Sequence, residues 1–182
     1  MHRAFAVLAV FLVAPPLAAT VLVPADFREI VAGSQVIVYG RVTDVRPEWT
    51  ADRRGINTIV TLEVGSYLKG GPADEVTFRV PGGQIGRYKS VTIGAPEFRP
   101  GEEAVFFLTA RGPAVAQVFG MSQGVFRVRV DAAGRRLVVP PALMADGDRA
   151  QPVRRGGSER KAIGLDAFAV HVRDAMAQGA AR

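Results

Sequence analysis

The stretch INTIVTLEVGSYL, residues 56–68, decides how the chain folds. Ile56, Val60, Leu62 and Val64 fall on one side of a two-residue period, and Asn57, Thr61 and Glu63 fall on the other. That alternation is the signature of a strand with one face in a core and one toward water. Upstream, VIVYGRVTDV (residues 36–45) is rich in β-branched residues and reads as a second strand, with Gly40 hinting at a bulge or sharp bend. Residues 47–55 read as a polar loop. Downstream, Lys69-Gly70-Gly71-Pro72 signals a turn. Val76, Phe78 and Val80 then alternate with Thr77 and Arg79, and after a glycine-rich segment from Pro81 to Gly101 come apolar or alternating runs at 104–109, 115–119, 125–130 and 137–139. A short helix is expected at the N-terminal side. Asp26 and Glu29 have capping-box spacing, Phe27, Ile30 and Val31 share a face, and Gly33 supplies a stop. A second helix is expected over 165–178, with Leu165, Phe168, Val172 and Ala175 or Met176 on its apolar face. Short strands at regular spacing with Gly/Pro turns predict a mainly β domain, a small closed or nearly closed β-barrel with a short N-terminal helix and a C-terminal helix. A β-sandwich is the alternative.

The first residues carry an address. Met1-His2-Arg3 is a short positive region, Ala4–Ala14 is an apolar run, Pro15-Pro16 ends it, and Leu17-Ala18-Ala19 offers small residues. This three-part layout predicts a secretory signal over residues 1–19. The run is too short to span a bilayer, which needs about 20 apolar residues. With no cysteine there is no lipid-anchoring site, no disulfide, no thiol nucleophile and no cysteine-based metal site. Localisation is therefore expected to be periplasmic or secreted, without a stable membrane anchor. The formal charge is +6, and lysine occurs only at 69, 89 and 161, so nearly all the basic residues are arginine. No basic stripe interleaves with aromatic residues, so no nucleic-acid partner is expected. Residues 140–163 combine Pro, Gly and charge without periodicity and read as a flexible linker.

Gly120-Met121-Ser122-Gln123-Gly124 fits G-x-S-x-G, the turn that presents a hydrolase serine. That motif works only between a strand and a helix, and here a strand pattern follows. His171 is the one histidine beyond the signal, and it lies at the edge of the C-terminal helix, where it reads as a half-packed boundary residue. No catalytic residue is assigned. Asp146-Gly147-Asp148 is too sparse for a calcium loop, and residues 81–86 match no phosphate-binding spacing, so no metal or cofactor is expected. What remains are strand-end loops rich in glycine and proline. If they gather at one end of a barrel, they form a rigid rim where Gly82, Gly83, Arg87, Tyr88, Pro96, Phe98 and Gln123 would meet a ligand. The plainer reading is that these loops are only turns the barrel needs.

The order V-I-V-x-G-R-V, T-x-V-x-L-x-V ending in L-K-G, V-x-F-R-V-P-G-G, G-A-P-x-F-x-x-G-E, V-F-F-L and G-x-S-Q-G-x-F-R-V, between Asp26 and Val130, resembles a group of uncharacterised exported bacterial proteins. More distantly, it resembles the oligonucleotide/oligosaccharide-binding (OB) barrel of the tissue inhibitors of metalloproteinases and netrin-type modules. The resemblance implies a five-stranded OB-like barrel and a protein-binding role outside the cell; the pattern along the chain places the barrel domain over 20–139, then the linker, then a C-terminal helical segment over 164–182. It carries over no inhibitory mechanism, because those inhibitors hold the protease zinc through an N-terminal cysteine that this chain lacks. The expected function is an exported, non-enzymatic binding module whose partner is another extracytoplasmic protein. A small serine hydrolase using Ser122 and an envelope protein without a discrete site are the alternatives.

Overall fold

The computed structural model describes residues 23–110, 115–142 and 162–180. The expected signal segment and most of the expected linker lie outside the described residues.

The first helix, α1 (Phe27–Gly33), begins where its capping box predicts. The Asp26 carboxylate accepts the Glu29 N–H at 2.8 Å, and Glu29 accepts the Asp26 N–H at 3.0 Å, so two orphan donors are satisfied at once. At the other end, the buried Ser34 hydroxyl donates to the Ile30 carbonyl at 2.7 Å.

The long strands β1 (Val36–Trp49) and β2 (Ile56–Lys69) form a hairpin, and β3 (Glu75–Pro81) follows. Two short strands, β4 (Gly83–Ile85) and β5 (Tyr88–Ser90), pair only with each other. β6 (Glu103–Thr109) and β7 (Ala116–Val118) complete the barrel. Its strands close in the order β1-β2-β3-β7-β6-β1, with β3 and β7 parallel and every other neighbour antiparallel. The fold is therefore a closed five-stranded OB-like barrel and not a sandwich. The register of β1 on β2 shifts between Tyr39 and Gly40 and again between Val42 and Asp44, so the bend expected at Gly40 is a real irregularity.

A single-turn 3-10 helix (Met121–Gly124) leads into β8 (Val125–Val130), then β9 (Arg136–Val139), the two-residue β10 (Ile163–Gly164) and α2 (Leu165–Ala180). Ile163 pairs with Val138, so the end of the stretch expected to be linker is a strand. A two-residue strand leaves no periodicity to read. Likewise β1 runs on through Pro47–Trp49, where a loop was expected, because β2 supplies register partners down to Ile56. Pro47 is tolerated there because that part of β1 is paired on one side only.

Alternating residues feed two cores. Val38, Val42, Val60, Leu62, Phe78 and Phe106 fill the barrel interior. Their outward-facing neighbours Ile37, Val105, Phe107 and Phe126 pack beneath α1 and α2, against Ile30, Phe168 and Val172. β6 contributes to both, and Ala104 through Leu108 are all buried.

Candidate functional site

The candidate site is built by the segment between β3 and β6. After Pro81 the chain turns sharply: Gly82 and Gly83 hold φ of 96° and 146°. A Cβ on Gly83 would stand 2.7 Å from the Thr58 hydroxyl oxygen, so only glycine lets the β4–β5 hairpin lie this close to β2. Thr58 locks the turn by donating its hydroxyl to the Gly82 carbonyl at 2.8 Å.

The hairpin presents Arg87 and Tyr88 to solvent. The Arg87 guanidinium lies 5.2 Å from the Tyr88 ring centroid and donates to its hydroxyl at 3.1 Å. The other side of Tyr88 meets Trp49 edge-on at 5.5 Å between centroids. Tyr88 is 52% exposed and Trp49 40% exposed, and in the following loop Val91 and Ile93 are 73% and 95% exposed. Four large apolar side chains on neighbouring segments thus face water on this part of the surface.

Pro96, Phe98 and Gln123 are placed differently, with their side chains buried. Phe98 enters the barrel interior, edge-on to Phe78 at 5.5 Å and 5.8 Å from Phe106. It plugs the barrel end that the 91–102 segment crosses. Gln123 is 2% exposed, and its amide accepts the Ala25 N–H at 2.6 Å and donates to the Val23 carbonyl at 3.2 Å. It fastens the segment before α1 to the body. Pro96 lines a groove of about 220 Å³ together with Pro81, Met121 and Arg79. Three of the glycine/proline loops therefore meet: Pro81, Pro96 and Met121 share this groove, and the Ser122 N–H donates to the Gly94 carbonyl at 3.0 Å. The Pro100-Gly101 turn stands apart from them, with the Gly101 N–H bonded to the Val42 carbonyl of β1.

Ser122 sits in the 3-10 turn that runs directly into β8, the strand context expected from the sequence. His171 stacks on Phe27 at 4.6 Å between ring centroids. Glu102 and Glu103 are engaged by cations. Glu102 pairs with Arg127, while Glu103 accepts from Tyr39 at 2.5 Å, Arg41 at 3.0 Å and Arg136 at 3.3 Å. The Tyr39 hydroxyl holds the Glu103 carboxyl below its ordinary range against the opposing effect of burial, with Arg136 and Arg41 adding to the lowering. Burial and the same carboxylate push Tyr39 up. Among the described residues no group of three His, Asp or Glu side chains is placed to hold a metal ion, and no helix is long and apolar enough to cross a membrane.

Trp49, Val91, Ile93 and Arg79 join the site through tertiary placement that the pattern of the sequence does not mark. Only Trp49 carries a local signal, as the one tryptophan of the chain amid the polar residues 47–55. No protein-family model matches the chain, and neither the curated proteins nor the solved structures contain a significant match.

Proposed function

We propose that this chain is an exported, non-enzymatic binding module that contacts another extracytoplasmic protein through the β4–β5 hairpin and the loops beside it. The observation that carries the reading is the exposed set Trp49, Tyr88, Val91 and Ile93, with Arg87 stacked on Tyr88. Aromatic residues and arginine are the side chains that dominate protein interfaces, since they cover much area with few rotors and keep a polar edge. The hairpin that bears Arg87 and Tyr88 is held to β2 through the Gly82 turn, so little ordering of that part is left for binding. The three-part N-terminus supports export, and the resemblance to netrin-type modules supports a protein as partner.

Capture from periplasm or culture medium with the purified protein tests this. A specific partner should be recovered, and Trp49→Ala and Tyr88→Ala should each weaken its capture by about tenfold or more while leaving the circular dichroism spectrum unchanged. Recovery of nothing across a range of salt, or undiminished capture by both variants, sinks the proposal. A fluorophosphonate probe should give no labelling that disappears in Ser122→Ala, and such labelling would replace the binding reading with a hydrolase.

A further inference from the structure

The groove beside the rim holds polar heads that no described residue engages. It lies where β7 parts from β3. The two strands are in register only at Phe78–Ala116 and Arg79–Gln117, after which β3 continues to Pro81 and β7 stops at Val118. Pro81, Pro96, Val118 and Met121 give the groove apolar walls, and Asn57, Arg79 and Gln117 give it a guanidinium and two carboxamides. Arg41, Arg127, Arg135 and Arg136 each hold a carboxylate. Among the described residues, Arg79 forms no ion pair and no side-chain hydrogen bond, and the carboxamides of Asn57 and Gln117 are equally unengaged. The wall is also set in an uncommon backbone state, for Met121 holds φ at 60°, a region that bulky residues seldom occupy.

We infer that this groove binds a peptide carboxylate. A guanidinium presents parallel N–H donors that match the two oxygens of a carboxylate. The amides of Asn57 and Gln117 add neutral donors from the same lining. The apolar walls then receive the adjoining side chain, with the polarizable Met121 able to fit several shapes. The volume of about 220 Å³ equals about seven waters, enough for one carboxylate and one medium apolar side chain. Removal of residues 1–19 takes away Arg3 and lowers the net charge from +6 to +5, which draws an anionic segment toward the surface. This inference rests on the binding reading above and names the part of the partner that the loops receive.

The carboxylate has two sources, a chain terminus or an acidic side chain. A ¹H–¹⁵N correlation titration of the purified protein separates them, using N-acetyl-leucine, N-acetyl-leucinamide and N-acetyl-aspartate α-methylamide as probes. Saturable shifts are expected at the Asn57 and Gln117 side-chain amides and at Met121 with the stronger of the two acids, which identifies the source. The uncharged leucinamide should bind about tenfold more weakly than that stronger acid, the loss of one charge-assisted contact at a partly exposed site. Arg79→Gln should weaken the acid by the same factor with the remaining peaks unmoved. Gln117→Ala serves as a second variant, with a smaller loss expected, should the first disturb the fold. Equal affinity for acid and amide, indifference to both substitutions, or no saturable shift at these residues overturns the site. The two readings fail separately. Partner capture that needs Trp49 and Tyr88 but ignores Arg79→Gln removes the carboxylate site alone. A saturable carboxylate response with no capturable partner removes the partner reading alone.

Discussion

Gln123→Ala deletes the buried amide that holds residues 23–25 against the barrel. Two hydrogen bonds are lost, one accepted from Ala25 and one donated to Val23, each with a net worth of about 1 kcal/mol. The Ala25 N–H is then left in a half-buried place without an acceptor, which adds up to about 1 kcal/mol more. The sum is about 2–3 kcal/mol, and for a domain of this size that lowers the melting temperature by about 5–10 °C. Thermal unfolding followed by circular dichroism reads it directly, and limited proteolysis near Ala25 should become faster well below the melting point. The neighbouring Ser122→Ala, whose N–H to Gly94 survives the change, should stay within about 0.5 kcal/mol of the parent. Gln123→Glu sharpens the test. Its carboxylate can accept from Ala25 but cannot donate to Val23, and burial raises the folded-state pKa of this group. A raised folded pKa means that stability is present at low pH and lost as pH rises through that value, so this variant should become more stable on acidification. Stability of Gln123→Ala within about 0.5 kcal/mol of the parent, or a Gln123→Glu variant that ignores pH, would refute the staple.

Phe98→Ala empties the barrel end against Phe78 and Phe106 and should cost about 3–4 kcal/mol in urea unfolding, the range for a buried aromatic; a loss under about 1 kcal/mol would show the plug to be dispensable. Gly124→Ala and Gly86→Ala should differ. The first sets a Cβ 2.8 Å from the backbone oxygens of both Phe107 and Phe119 and should cost about 3 kcal/mol. The second meets nothing within 4 Å but holds φ at 57°, so only about 1–2 kcal/mol of left-handed strain is expected. Equal costs would contradict the close approach at Gly124. Glu103→Gln bears on acid stability: because the folded carboxyl lies below its ordinary range, its contribution is present above the unfolded pKa and lost as pH falls through the folded one. The variant should be less stable at neutral pH and should show a flatter decline between neutral and acid conditions; parallel profiles for the two proteins would assign acid sensitivity elsewhere.

The barrel was legible where the two sides of a strand meet different surroundings. Val60 and Leu62 point into the core while Thr61 and Glu63 do not, so β2 declares itself. Elements created by pairing partners were harder to read. Pro47 and Glu48 are poor strand formers, and β4 and β5 are three residues each. Their conformation comes from tertiary contacts that no local propensity records. The site shows the same division. A glycine- and proline-rich loop suggests exposed contacts, and Arg87 and Tyr88 supply them, but the 91–102 segment crosses a barrel end and turns Phe98 inward. Nothing in Gly120–Gly124 announces that Gln123 will bond to residues about 100 positions earlier. The alternation of β3 marks Arg79 as an outward residue, yet only the divergence of β3 and β7 makes a groove beside it.

The sharing of β6 between the two cores has a thermodynamic corollary. A party wall cannot be demolished from one side. Peeling α2 away would strand Phe107 and Phe126 in water, and unzipping the barrel would do the same to Phe106 and Leu108. Helical cover and barrel are therefore obliged to melt as one cooperative unit. The amides of residues 104–108 should exchange with solvent only through that global event, last in the molecule to do so.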